Sequence, residues 1–375
     1  MDKILIIAAK LYNDPTGGGG TVVKNLIDMF IESFEIDLVL YRTPTENIYQ
    51  HKQLKTYFHP VSYRHDNKFE RRILNYRINL ELLTNKYDFN VYRKIIIVHI
   101  SKMFGFETLE EKYLSKMILF PMYLTPSYKR SNEIVPLEYI DLEQKALNAV
   151  SKIITPSESE KNDLVSFYHI NAEKIEVIHR GVNEVFFSSP KDKFTNPLKL
   201  IVVSTIKEQK NVIESVQMIS KLRDLGLQTK LTIIGRVESR TLYEQMIDYI
   251  RLNDLIDNVM LIQDLNQTEL ANQLKKSDIL ILPSLWETFG RVAYEAMAAG
   301  LPVVMRKGIE CFTNLYGKVY ILQYKTIDEA VTLIQEIVKE PAKYLMLSSK
   351  AIEYAIQFSS MIESKRIREV IMCKD

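Results

Sequence analysis

Cysteine is almost missing from this chain of 375 residues: only Cys311 and Cys373 occur, and they form no CxxC pattern. That excludes a disulfide framework and a cysteine-held zinc site, and it fits a reducing cytoplasm. Charge of one sign is missing too. A formal net charge of +2 is too small for general attraction to nucleic acid. No apolar stretch reaches the roughly 18 residues of a membrane-spanning helix. The N-terminal apolar run is broken by Lys10 and lacks a signal peptide's basic region and cleavage site, so it reads as a first β-strand. Asp-x-Asp occurs nowhere, so nothing suggests a metal held by such a pair. With 46% hydrophobic and 26% charged residues the composition is that of a globular chain, and its length suffices for two domains.

The stretch Asp278 to Val304 organises the rest. Ile279 to Leu282 are apolar without polar alternation, as suits a strand buried on both faces of a parallel sheet. Pro283 and Ser284 end it, and Trp286 to Gly290 make a short loop. Arg291 to Ala299 read as a helix, stopped by Gly300 and Pro302, and Val303-Val304 open the next strand. This places a polar, glycine-containing loop at the carboxyl end of a strand, where open α/β sheets bind ligands. Two carboxylates belong to it, Glu287 in the loop and Glu295 roughly 1.5 to 2 turns into the helix. A phosphorylated ligand across the helix N-terminus would meet N–H groups around Phe289, Gly290 and Arg291. The two glutamates would then reach hydroxyls on either side of the phosphates, as in a nucleotide-sugar.

The run E287-T-F-G-R-V-A-Y-E295-A-M-A-A-G-L-P-V-V resembles the signature of the retaining GT-B glycosyltransferases of family 4. That resemblance implies an α/β chain of two Rossmann-like domains facing each other across a cleft. It implies that Glu287 contacts the donor sugar, that Thr288, Phe289, Gly290 and Arg291 hold the donor, and that Glu295 holds the ribose. Expected boundaries are 1–187 for an acceptor-binding domain, 188–198 for a linker, and 199–359 for the nucleotide-sugar domain. The final helix, about 360–375, is expected to pack back onto the first domain.

Along the first domain, Lys3 to Ala9 read as a strand, followed by Gly17 to Gly20 and a helix from Thr21 to Ser33. The glycines are followed by Thr21-Val22, not by the Lys-Ser or Lys-Thr of a Walker loop, and the third glycine of a dinucleotide fingerprint is absent. They are either a flexible turn or a close approach to a ligand; the resemblance favours Gly18 and Gly19 facing the donor phosphate. Residues 49–94 are the least regular part, rich in Lys and Arg with interleaved aromatics. They suit an interfacial segment on anionic lipid, a rim for an acidic acceptor, or a solvated basic surface whose aromatics are core. Buried strands at Ile95 to Val98 and Ile118 to Phe120 end in His99 and Pro121-Met122. The family commonly carries a histidine where Met122 stands. His99 is the candidate replacement, beside the plainer reading of a histidine bonded at a strand end.

In the second domain Leu200 to Val203 lead into Ser204 to Asn211. The family places an arginine and a lysine here to neutralise the diphosphate. Lys210 stands at the lysine position and Thr205 at the arginine position, with Lys207 or Arg180 as substitutes for the missing charge. The expected function is sugar transfer from a UDP- or GDP-sugar to a hydroxyl acceptor, with retention and without a metal or other cofactor. Glu287, Lys210 and His99 are the catalytic candidates. The leaving diphosphate would be stabilised by Lys210 and helix N–H groups. The alternatives are a nucleotide-sugar epimerase and a catalytically impaired binding subunit. A cytoplasmic protein is expected, with peripheral membrane contact through residues 51–94.

Overall fold

The computed structural model describes residues 1–9, 18–41, 50–58, 65–263, 265–315, 317–318 and 320–372. Contacts divide it into two domains, Met1–His179 with Ser364–Asp375, and Arg180–Glu363.

The first domain holds strands β1 (Lys3–Ala8), β2 (Glu35–Leu40), β3 (Leu54–Phe58), β4 (Tyr92–Val98), β5 (Met117–Phe120), β6 (Lys152–Thr155) and β7 (Ile175–Val177). All pair in parallel, in the order β3-β2-β1-β4-β5-β6-β7. The second holds β8 (Leu198–Val203), β9 (Thr229–Ile234), β10 (Val259–Ile262), β11 (Ile279–Leu282), β12 (Val303–Arg306) and β13 (Ile321–Tyr324). Its order is β10-β9-β8-β11-β12-β13, again all parallel. Both are Rossmann-like sheets, in which strand order reverses beside the first strand and leaves a crevice at the carboxyl ends.

Parallel strands with helices on both faces are apolar over near-continuous runs. The packing shows why the uninterrupted runs were needed. Leu5, Ile7, Ile95 and Ile97 enter one core of the first domain, while Ile4, Ile6, Ile96 and Val98 enter the core on the opposite face. In β11, Leu280 and Leu282 face one core, and Ile279 and Ile281 the other.

Three expectations from the sequence need restating. The irregular region contains the edge strand β3, whose residues are half-buried or exposed and so lack a continuous apolar run. Its aromatics turn inward: Phe69 and Phe89 are buried in the core, and Tyr57, Tyr76 and Tyr87 pack against it. Residues 188–198, expected as a linker, lie within the second domain. Ser188 Oγ donates to the Ala299 carbonyl, Lys191 Nζ to that of Lys275, and Thr195 Oγ1 to the buried Asp278 carboxylate. The same polar composition that makes a linker here satisfies buried acceptors.

The chain passes between domains at His179/Arg180 and at Glu363/Ser364. At these crossings Gly181 N–H donates to Glu363 Oε2 at 3.0 Å, and Val182 N–H to the Phe358 carbonyl at 2.7 Å. The end of the Ser360–Met372 helix places Ile367 and Ile371 in the first domain's core, 2% and 1% exposed. Among the described residues, no helix is long and apolar enough to cross a membrane.

Candidate active site

In the second sheet the strand order reverses between β8 and β11, which pair through Leu200–Ile279 and Ile201–Leu280. Their carboxyl ends therefore deliver two loops to one place. Gln209 accepts a hydrogen bond at its carbonyl from Leu285 N–H (2.8 Å), and its side-chain amide donates to the Trp286 carbonyl (2.9 Å). These bonds lock the single helical turn Glu208–Lys210 against the loop after β11.

The chemical result is a pairing of two residues that lie far apart in sequence. Lys210 Nζ donates to both carboxylate oxygens of Glu287, at 2.6 and 2.7 Å, and Ser284 Oγ donates to Oε1 at 2.7 Å. The Glu287 side chain is 6% exposed and that of Lys210 is 19% exposed. A charge buried to this degree is costly unless paired, so each group holds the other in place. An ammonium has three donors and Glu287 occupies part of that capacity, so a second anion can share the lysine. Buried Cys311 lies near both, and burial and the Glu287 charge hold its thiol well above the usual range.

Gly290 caps the Arg291–Ala298 helix with left-handed backbone, φ +69°. A Cβ there would lie 2.3 Å from the Phe312 ring. The side-chain position at Gly290 is closed by Phe312, and the left-handed turn is a second reason for glycine. Phe289 stacks on Tyr294 with centroids 4.7 Å apart. Glu295 is 4% exposed, and its carboxylate accepts from Arg291 Nε at 2.8 Å, one helical turn away. The side chains of Arg291 and Glu295 are thus bound to each other beside the helix N-terminus.

The remaining candidates scatter. Thr205 follows β8, half-buried, where Gly235 comes so close that a Cβ would meet the Ser204 carbonyl oxygen at 2.0 Å. The two substitutes for its missing charge are engaged: Lys207 with Glu238 at 3.6 Å and Arg180 with Glu363 at 3.7 Å. In the first domain Gly18 and Gly19 form the start of the Gly18–Phe30 helix, while Gly17 lies outside the described residues. His99 and Met122 follow the neighbouring strands β4 and β5, and both take positive φ, +85° and +70°. Non-glycine residues rarely do so, and such strain collects at ligand sites. His99 Nδ1 accepts from Ser101 N–H at 3.2 Å, which leaves the ring proton on Nε2. Burial and the neighbouring Arg72 and Lys102 cations push its pKa well down, so the ring is a neutral hydrogen-bond donor. Ser284, Gln209 and Phe312 were not found from sequence. Ser284 had a signal, a hydroxyl three residues before the glutamate on a tight loop; Gln209 and Phe312 depend on contacts made across the fold.

Residues 16–186 match the family described as Glycosyltransferase Family 4, and residues 185–357 match that described as Glycosyl transferases group 1. The chain belongs to the family 4 glycosyltransferases. It is similar to the glycogen synthase of Mycobacterium tuberculosis, with 30% identity over 154 residues, 40% of this chain and 36% of the relative. It is also similar to the D-inositol 3-phosphate glycosyltransferase of Mycolicibacterium smegmatis, with 27% identity over 233 residues, 58% and 51% of the two chains. The match therefore spans between a third and about half the length of these curated relatives. Among solved structures, sucrose-phosphate synthase from Thermosynechococcus elongatus superimposes with a TM-score of 0.81 at 17% identity, over 99% of this chain and 98% of that one. Anabaena HepE in complex with UDP and glucose gives 0.74 at 14% identity, over the full length of both chains. These likenesses carry the fold, which is that of the GT-B members of family 4.

Proposed function

We propose that this family 4 chain transfers a sugar from a nucleoside-diphosphate sugar to a hydroxyl acceptor, with retention at the anomeric carbon. The observation that carries the reading is the buried Lys210–Glu287 pair at the reversal of the second sheet, beside the Gly290-capped helix. In this reading Lys210 shares its ammonium between Glu287 and the diphosphate, and Glu287 orients the sugar hydroxyls. Negative charge grows on the departing diphosphate, where the lysine and the helix N-terminus stabilise it. Among the described residues no carboxylate stands out as a nucleophile, so attack on the same face, assisted by the departing phosphate, fits the residues better than a covalent intermediate. The neutral His99 donates through Nε2 to substrate and does not act as a base at Nδ1. UDP is the first nucleotide to test, since HepE was solved with UDP and glucose at the same fold. The proposal requires neither a metal nor another cofactor.

The decisive experiment is turnover of UDP- and GDP-sugars by the purified chain, with product anomer read by NMR. Transfer with retention is expected; absence of nucleotide binding in a thermal-shift screen would sink the reading. A second reading, an impaired subunit that binds a nucleotide-sugar without transferring it, draws on Thr205 and on the engagement of Lys207 and Arg180. Donor hydrolysis by the chain alone separates the two.

A further inference from the structure

Arg72 is a half-buried arginine with no carboxylate partner among the described residues. It lies in the first domain, on the short helix Lys68–Ile73. One guanidinium nitrogen, Nη1, donates to the hydroxyls of Tyr128 and Tyr139, the latter at 3.4 Å. Both tyrosines are buried, 2% and 0% exposed, so the fork is held from behind by rigid groups that carry no charge. No partner for Nη2 or Nε occurs among the described residues. Among the carboxyls, Glu143 feels the Arg72 charge, and its Oε1 has no hydrogen-bond partner among the described residues. Glu133 pairs with Lys68. Glu143 accepts at Oε2 from Thr125 N–H, Thr125 Oγ1 and Tyr168 OH.

The position of this arginine matters as much as its pairing. Tyr128 belongs to the helix Thr125–Arg130, reached from the carboxyl end of β5. Its ring packs on Tyr123, 4.5 Å away, next to the strained Met122. His99, at the carboxyl end of β4, feels the positive charge of Arg72 and of Lys102. The ammonium of Lys102 stands 4.1 Å from the centre of the Tyr41 ring, just past the end of β2. Two cations and a neutral N–H donor therefore share the edge of the first sheet where α/β domains take ligands. A fork held by neutral hydroxyls, with its outer donors unspent, suits a bidentate oxyanion.

We propose that Arg72, supported by Lys102 and His99, forms an oxyanion subsite in the first domain, and that the acceptor carries a phosphate or carboxylate group. The inference rests on the sugar-transfer reading, and its test separates the two. Binding is measured on the full chain by calorimetry for UDP, glucose, glucose 6-phosphate, glucuronate and inorganic phosphate, at low and at raised salt. At least one of the two anionic sugars is expected to bind tenfold or more tightly than glucose, and to be weakened by salt and displaced by inorganic phosphate. The phosphate and carboxylate arms tell which oxyanion is preferred. Arg72→Gln is expected to remove that tenfold preference, and Arg72→Lys to retain part of it, because charge survives and the fork does not. UDP affinity serves as the control for folding and for the second domain. UDP binding together with equal affinity for charged and neutral sugars would overturn the subsite and leave the transfer reading standing. Preference unchanged in Arg72→Gln would overturn the assignment to Arg72. Failure of UDP to bind would strike the transfer reading itself.

Discussion

The side chains that matter most here are charges that the fold keeps out of water, and each has a measurable consequence. Removing Lys210 strands the Glu287 carboxylate at 6% exposure; removing Glu287 strands the lysine. Lys210→Ala and Glu287→Ala are each expected to lower turnover by about 100-fold or more, as when a donor to a developing charge is lost. Circular dichroism spectra should stay native, and a steady-state assay of either variant at wild-type rate would remove the pair from the mechanism. Glu143 offers a pH test. It is fully buried, and burial pushes its carboxyl up to about 7 from 4.5. The folded state thus holds a proton that the unfolded chain gives up. Its stabilising contribution is complete below about 4.5 and is lost as the pH rises through about 7. The loss amounts to about 3 kcal/mol as an upper figure. Glu143→Gln mimics the protonated form, so its melting temperature should gain on wild type between pH 5 and 8. A constant difference across that range would contradict the burial argument.

Elements place these side chains, and two glycines show how. The helix Arg291–Ala298 begins where it does because Gly290 can take φ +69° and because Phe312 fills the space a side chain would need. Gly290→Ala carries the left-handed penalty of about 1 to 2 kcal/mol and a collision with a buried ring besides. It should lower the melting temperature and weaken UDP binding together, whereas Phe312→Leu combined with it should restore part of the stability. Gly181 has ordinary backbone, yet a Cβ there would lie 2.5 Å from the Ser360 Cα. Gly181→Ala is expected to loosen the contact between Gly181 and Glu363, and amide hydrogen exchange at Gly181 and Val182 would report it. The element boundaries themselves were largely legible in advance. Ser157 caps the helix Glu158–Tyr168, its side chain accepting from Glu160 N–H. The edge strand β3 was not visible. With a single neighbour and partial burial, it can be built from residues as mixed as Leu-Lys-Thr-Tyr-Phe.

For the whole molecule the notable point is that the first domain is not contiguous in sequence. Residues 364–375 belong to the first domain, although 184 residues of the second precede them. Ile367 and Ile371 are buried in its core beside Ile4 and Phe30, and Arg368 donates to the Met29 carbonyl. Deleting 364–375 is therefore expected to destabilise the far end of the chain, by roughly 3 to 6 kcal/mol for two buried isoleucines. Limited proteolysis should then open residues 18–41 before any site in the second domain. UDP at about 100 times its dissociation constant should add roughly 2.7 kcal/mol of stability. Hydrogen-exchange protection should gather at residues 204–211 and 284–296, and protection confined to the first domain would contradict the assignment of the donor site.

The sequence by itself determined the fold class, most strand positions and the family, because a parallel sheet buried on both faces requires apolar runs that no other element requires. Its eighteen-residue signature and a lysine at fixed spacing also made Glu287, Lys210 and the Gly290 turn candidates for one site. Only the tertiary structure decided how these residues meet. Lys210 and Glu287 pair with each other, Arg291 takes the Glu295 carboxylate, and Phe312 closes the space at Gly290. It also left Arg72 with two tyrosine hydroxyls and, among the described residues, no hydrogen-bonded acid. The Arg291–Glu295 pair is local to one helix, but the Lys210–Glu287 pair joins loops 77 positions apart and follows from the order in which strands lie side by side, a property that local patterns of hydrophobicity and charge do not encode.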